Sequence, residues 1–319
     1  MTTTPGTAHR PVPYGPSDSA AGPVDWRSVA FQSAVIGGLL AVLYWHVLRL
    51  LVWNWMNVGD WSHGFLIPVF SLYYLYMQRH RFPWGMYGTG LGGLALLLAA
   101  FGVYAYFTCF ASFTYPRSLS LIAAIFGSVW LLCGWPIARW AWFPIAFLVF
   151  AIPVPPDLYD RMTLPLQRIA SGAAAVLLNL LPDMEADAQN IVISYLYKGR
   201  TGMLNVEQAC SGIRLMMAFM ALGVAMAFAS DRPLWHRMVM ILSCVPIAIL
   251  CNVVRVTTTG LFHVFGREDL ARGTAHSMLG LSMLLIAFGL YGLISYVLGR
   301  VIPYVVEHLF VDVPEEPAA

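Results

Sequence analysis

Three short polar sequences interrupt an otherwise apolar chain, and each carries a side chain that can take part in chemistry. Cys210 lies in NVEQACSGIR, Arg255 in NVVR and His276 in GTAH, each next to a long apolar segment. Together they supply a thiol, a cation that is always charged and an imidazole that titrates near neutral pH. This is the minimum set for acyl transfer to a cysteine.

The position of Cys210 just before an apolar helix favours the thiolate, because the free N–H groups at a helix start attract an anion. We expect His276 to take the thiol proton and later to protonate the leaving amine; the alternative is that it caps its helix. We expect Arg255 to bind the oxyanion or a substrate carboxylate. The alternative is that its side chain snorkels to the surface or pairs with an acid such as Asp269.

Five further residues are candidates for substrate binding. They are Glu207, Ser211, Arg214, Asn252 and His63. Arg214 lies one helical turn from Cys210, so it orients the thiolate or grips the substrate; the alternative is a structural pair with Glu207. His63 has two open interpretations, a cap at a helix entry and a residue behind the site. The cysteines and histidines show no spacing typical of a metal site, and no cofactor is expected.

The composition is that of an integral membrane protein. Of the residues, 59% are hydrophobic and 11% are charged, and the mean hydropathy is +0.69. A net charge of +2 gives no indication of nucleic-acid binding. Five cysteines, an odd number, do not suggest a disulfide framework. Four of them lie in apolar runs and are interpreted as small core residues: Cys109, Cys133, Cys244 and Cys251.

The apolar runs predict an all-α, polytopic transmembrane helical bundle of about eight spans. The nine candidate segments are 28–53, 63–78, 88–110, 118–135, 140–155, 163–181, 212–230, 238–262 and 277–299. The weakest is 163–181, which contains Gln167 and Arg168; the alternatives are that it spans, lies in the interface or re-enters. We divide the chain into a disordered cytoplasmic N terminus (1–27), the transmembrane domain (28–300) and a short C-terminal tail (301–319).

Eight crossings place both termini on one side and bring Cys210, Arg255 and His276 to the opposite face. The Lys and Arg bias of the loops gives weak support for a cytoplasmic N terminus. The site is then extracytoplasmic, as is the polar insert 183–209. Within that insert, residues 191–195 (IVISY) are β-prone and predict a short hairpin over the membrane face.

At these residues the chain resembles the exosortase/archaeosortase family. The shared blocks occur in order over most of residues 50–300: DWSHGFLIP from Asp60, IPVP from Ile152, LPLQ from Leu164, ACSGIR from Ala209, NVVR from Asn252, and His276 followed by Gly280. One departure is visible, because the family often has an acid directly before Ala-Cys, where this chain has Gln208 and has Glu207 one residue earlier.

The resemblance implies a membrane-embedded cysteine protease or transpeptidase with Cys210, Arg255 and His276 as its catalytic residues. Its substrates would be secreted proteins that end in a short motif, a transmembrane helix and a basic cluster. They would be cut at the outer face of the cytoplasmic (inner) membrane, and water or an amine acceptor would resolve the acyl-enzyme. The alternative is a polytopic transporter or polysaccharide-export component with intramembrane arginines as ligands. The absence of an internal repeat, and polar sequences grouped at one face, favour the enzyme.

Overall fold

The computed structural model describes residues 26–205, 212–230, 232–267 and 273–301. The helices are α1 (Trp26–Leu43), α2 (Trp45–Asn57), α3 (Leu66–Met77), α4 (Leu91–Cys109), α5 (Thr114–Cys133), α6 (Trp135–Phe147), α7 (Pro156–Leu178), α8 (Gly212–Ala229), α9 (Leu234–Leu242), α10 (Cys244–Val264) and α11 (Gly273–Tyr296). The strands, all between α7 and α8, are β1 (Met184–Gln189), β2 (Val192–Tyr197) and β3 (Arg200–Asn205). A mostly helical architecture is therefore confirmed.

Among the described residues, four helical stretches are long and apolar enough to cross a membrane: Leu91–Cys109, Thr114–Cys133, Leu234–Val264 (α9 with α10) and Met278–Arg300. The bent pair formed by α1 and α2 raises that number to five. Three shorter apolar helices, Trp135–Ala151, Thr163–Leu178 and Met216–Ala229, fall below the length of a full span. Eight crossings stay a prediction, which requires shorter helices to cross as well.

The predicted segment 28–53 is not one continuous helix, because the chain turns by 74° between α1 and α2. The turn is at Tyr44, whose side chain is fully buried. Its hydroxyl lies 3.1 Å from Ser120 Oγ on α5, and its ring centroid lies 4.5 Å from that of Tyr104 on α4. Burial of this ring and its hydroxyl fixes the bend, which a hydropathy pattern cannot show.

The α4–α5 pair is held by direct contact between the two backbones. A Cβ atom added at Gly93 would overlap the backbone nitrogen of Leu131 and would lie 2.7 Å from the carbonyl oxygen of Gly127. At Gly102, on the same helix, an added Cβ would meet no atom within 4 Å. Small residues that allow close backbone approach are typical of helix packing in membranes.

The polar insert forms an antiparallel three-stranded sheet in the order β1-β2-β3, one strand more than the predicted hairpin. Its second turn is closed by Lys198 (φ 47°) and Gly199 (φ 79°), and both are left-handed, as in a two-residue turn of type I′. One face of the sheet is buried, with Ile193 and Leu204 in the same core cluster as Leu178 of α7 and Val256 of α10. The sheet therefore covers the ends of α7 and α10, and we call this the sheet end of the bundle.

One expectation from the apolar pattern is corrected by the packing, and another stays a prediction. Segment 163–181 belongs largely to a 23-residue helix, α7, in which Gln167 is buried and Arg168 is exposed, and whether it spans or re-enters is not decided by the fold. Among the cysteines, Cys244 and Cys251 are buried as predicted, whereas Cys133 is half-buried and Cys109 is exposed. Cys109 is the last residue of α4. An apolar run places a residue in the membrane but does not tell which side of its helix faces the protein.

Candidate active site

Arg255 is the largest fully buried side chain in the described part of the chain, with 2% of its surface exposed. It lies near the middle of α10, one turn beyond Asn252, which is also buried. The snorkelling interpretation of Arg255 is therefore wrong, because the side chain turns inward. A guanidinium inside a membrane bundle is costly and marks a functional site in most proteins.

Helix α11 packs against α10 at the level of Arg255. The Sγ atom of Cys251 donates to the carbonyl oxygen of Met283, at 3.8 Å. One turn further along, Nη2 of Arg255 lies 3.9 Å from the position that a Cβ atom on Gly280 would take. His276 is four residues before Gly280 on the same helix, about 6 Å away and on the same face. The guanidinium thus lies against the face of α11 that carries His276 in its first turn.

The start of α8 lies near the depth of Gly280. The hydroxyl of Tyr291 on α11 donates to the carbonyl oxygen of Phe219 on α8, at 3.0 Å. The same hydroxyl lies 2.6 Å from the position that a Cβ atom on Gly223 would take. Gly223 follows Gly212 by 11 residues, and Tyr291 follows Gly280 by 11 residues, about 16 Å in each helix. Gly212 and Gly280 are therefore level with each other, beside Arg255.

The structure brings Arg255 and Asn252 together with the helix ends that carry the other candidates. The backbone positions of Arg214 in α8 and His276 in α11 are described, and their side chains are not. Three predicted residues, Glu207, Cys210 and Ser211, lie outside the described residues, as do Gln208 and Asp269. The sequence places Cys210 two residues before Gly212 and six residues after Leu204.

The segment that contains His63 is a 3₁₀ helix, Gly59–Phe65, packed against the start of α8. Its Trp61 is 7% exposed and shares a buried cluster with Met216 and Met217 of α8. The ring of His63 is half-buried, with its centroid 5.8 Å from that of Trp61. The N-cap position of α3 is Phe65, so the interpretation of His63 as the cap of that helix is wrong.

Sequence reasoning missed the residues that hold this segment in place. Trp55 of α2 covers Gly64 so closely that a Cβ atom there would overlap the indole ring. The indole Nε1 of Trp55 also donates to the carbonyl oxygen of Ala151, at 2.8 Å. The glycine in the WSHG sequence could have indicated this contact, because glycine is often found where another group approaches the backbone closely.

Thr259 was also missed. It is buried on α10, one turn beyond Arg255, and completes the spacing i, i+3, i+7 with Asn252 and Arg255. That spacing was visible in the sequence. Among the described residues, no group of three or more His, Cys, Asp or Glu side chains could hold a metal ion.

These observations define the class of protein. It is a helical membrane protein with a buried arginine at the level where α8 and α11 begin, below a small sheet. A family model for transmembrane exosortases matches residues 55–293. The chain belongs to the transmembrane exosortase family. No curated protein and no solved structure matches the chain. Family membership supports a general role as a membrane transpeptidase in protein sorting.

Proposed function

We propose that this protein is a cysteine transpeptidase that cleaves C-terminal sorting signals of secreted proteins, with Cys210, Arg255 and His276 as its catalytic residues. The observation that carries the proposal is the burial of Arg255 against the α11 face that holds His276, level with the start of α8. Cys210 is separated from Gly212 by two peptide units, so its Cα atom lies within about 7 Å of that helix start.

The chemistry follows from the three side chains. His276 takes the proton of the Cys210 thiol, and the sulfur attacks the scissile carbonyl carbon, forming a C–S bond. The negative charge on the carbonyl oxygen is stabilised by the guanidinium of Arg255. The C–N bond then breaks, and His276 passes its proton to the leaving amine. Water or an amine acceptor attacks the thioester, releases the product and returns the thiol.

A buried arginine suits the oxyanion role better than a surface cation would. The guanidinium cannot lose its proton, and its planar fork is already fixed by packing in the free protein. Inside the bundle the interaction with a developing negative charge is screened less than in water. Because the donor is already oriented, little reorganisation is required when the charge appears.

The first test follows the size of a tagged reporter in cells. The reporter is a secreted protein from the same genome that ends in a short motif, a transmembrane helix and a basic cluster. We expect Cys210→Ala to abolish the size shift on an immunoblot, because the nucleophile is removed, and Cys109→Ala to leave it unchanged. Both variants must accumulate to the wild-type level in the membrane. Normal processing by Cys210→Ala refutes the cysteine mechanism.

The second test locates the site relative to the membrane. A membrane-impermeant maleimide is applied to cells with a permeabilised outer envelope. The Cys109→Ala background is used because Cys109 is exposed at the end of α4. We expect labelling of Cys210 in intact cells, and loss of that label in the double variant Cys109→Ala/Cys210→Ala. Labelling only after lysis of the inner membrane contradicts an extracytoplasmic site.

A further inference from the structure

Thr259 differs from the two threonines that precede it. The hydroxyls of Thr257 and Thr258 donate to the carbonyl oxygens four residues back, Val253 and Val254, both at 2.8 Å. Such bonds within a helix satisfy a hydroxyl locally. Thr259 is 1% exposed, and its Oγ1 atom has no hydrogen-bond partner among the described residues. A buried hydroxyl without a partner is costly and calls for an explanation.

The packing of α10 on α11 places Thr259 opposite the first turn of α11. The two helices run antiparallel, with Cys251 beside Met283 and Arg255 beside Gly280. Residues four apart share a helix face, so one more turn along α10 leads from Arg255 to Thr259. The matching turn back along α11 leads from Gly280 to His276. Thr259 is therefore level with His276 on the interior side of α10.

The same level marks the end of the sheet that precedes Cys210. A Cβ atom on Gly260, the residue after Thr259, would lie 3.5 Å from Cδ2 of Leu204 on β3. Asn252, Arg255 and Thr259 form a polar ridge on one face of α10. This ridge runs from the interior of the bundle to the level at which β3 ends and α11 begins. Its outermost member is the unpartnered hydroxyl.

We propose that Thr259 is a positioning residue of the active site: its hydroxyl oxygen accepts a hydrogen bond from a ring N–H of His276. This inference rests on the proposed role of His276 as acid and base. The bond fixes which ring nitrogen carries the proton and turns the other towards the thiol of Cys210. The hydroxyl proton stays free to donate to a backbone oxygen nearby. Thr259 touches neither the substrate nor the reacting sulfur.

The test compares two replacements of opposite character. Thr259→Val keeps the shape and removes the hydroxyl, whereas Thr259→Ser keeps the hydroxyl and removes a methyl group. We expect Thr259→Val to slow reporter processing by about three- to tenfold, the effect of losing one ordinary hydrogen bond. We expect Thr259→Ser to stay within about twofold of wild type, because the acceptor oxygen remains. Thr258→Val is the matched control, since the Thr258 hydroxyl bonds only its own helix.

Binding is measured in parallel, by co-purification of the tagged reporter with each variant. All three variants are expected to retain the reporter as wild type does, because only the proton-transfer step is changed. The reverse order, with valine active and serine impaired, shows a packing role and overturns the inference. Wild-type rates in both Thr259 variants also overturn it. If these rates are normal while Cys210→Ala is inactive, only the role of Thr259 fails; processing by Cys210→Ala refutes the proposed function itself.

Discussion

Gly280 offers a way to disturb the site without removing any catalytic group. An alanine Cβ at this position would lie 3.9 Å from Nη2 of Arg255, an ordinary van der Waals contact. Leucine adds three carbon atoms beyond Cβ. Side chains in a helix lean towards its N terminus, so these atoms extend towards the first turn of α11, where His276 lies. The guanidinium has to move to make room.

The size of the effect follows from the displacement. A shift of about 1 Å in a group that contacts the reacting atoms can cost about 100-fold in rate, or about 2.7 kcal/mol in activation free energy. We therefore expect Gly280→Leu to reduce the rate of reporter processing by about two orders of magnitude. Gly280→Ala is expected to stay within about threefold, because the methyl group fits at contact distance.

The assay is a pulse-chase measurement of reporter size, with thermal unfolding of the purified protein in detergent as a check on folding. Gly289→Leu is the matched control: it lies on the same helix, and a Cβ atom there would meet no atom within 4 Å. It should process the reporter normally. A folded Gly280→Leu variant that works within threefold of wild type contradicts the proximity of the Arg255 guanidinium to the reaction.

Three shorter predictions concern charge geometry, proton transfer and packing. Arg255→Lys should fail almost as completely as Arg255→Ala in the pulse-chase assay, because lysine lacks the planar fork; recovery of most activity with lysine would show that charge alone suffices. His276→Ala should process the reporter at least about 100-fold more slowly yet still co-purify with it, since acid–base catalysis contributes about 10²–10⁴-fold; full turnover would remove His276 from that role. Gly93→Ala should destabilise the protein by about 1–3 kcal/mol in thermal unfolding, because its Cβ overlaps the α5 backbone, whereas Gly102→Ala should not; equal stability of the two would contradict the close contact of α4 with α5.

The sequence alone predicted the helical membrane class, the order of the helices and the β-prone insert, because apolar periodicity and β-branched runs report local structure directly. It also predicted that Arg255 is functional, which its burial supports. It could not predict the bend at Tyr44 or the exposure of Cys109. Both depend on which helix packs against each face of α1, α2 and α4, and a hydropathy pattern carries no information about packing partners. Thr259 could have been found from its spacing with Asn252 and Arg255, but the sequence does not show that its hydroxyl is unpartnered among the described residues, whereas those of Thr257 and Thr258 bond within the helix.

The contact of Arg255 with the Gly280 side of α11 has a consequence for biosynthesis. The guanidinium is made when α10 leaves the ribosome, but part of the surface beside it, at Gly280, belongs to the last described helix of the chain. Until α11 arrives, this side of a charged side chain near the middle of α10 is not covered by protein, which is unfavourable inside a bilayer. Insertion of α11 therefore covers this side of α10 and adds the helix that carries His276. In the proposed mechanism, a chain that is still being synthesised holds its thiol but lacks the imidazole, so it does not cleave peptides before α11 is inserted.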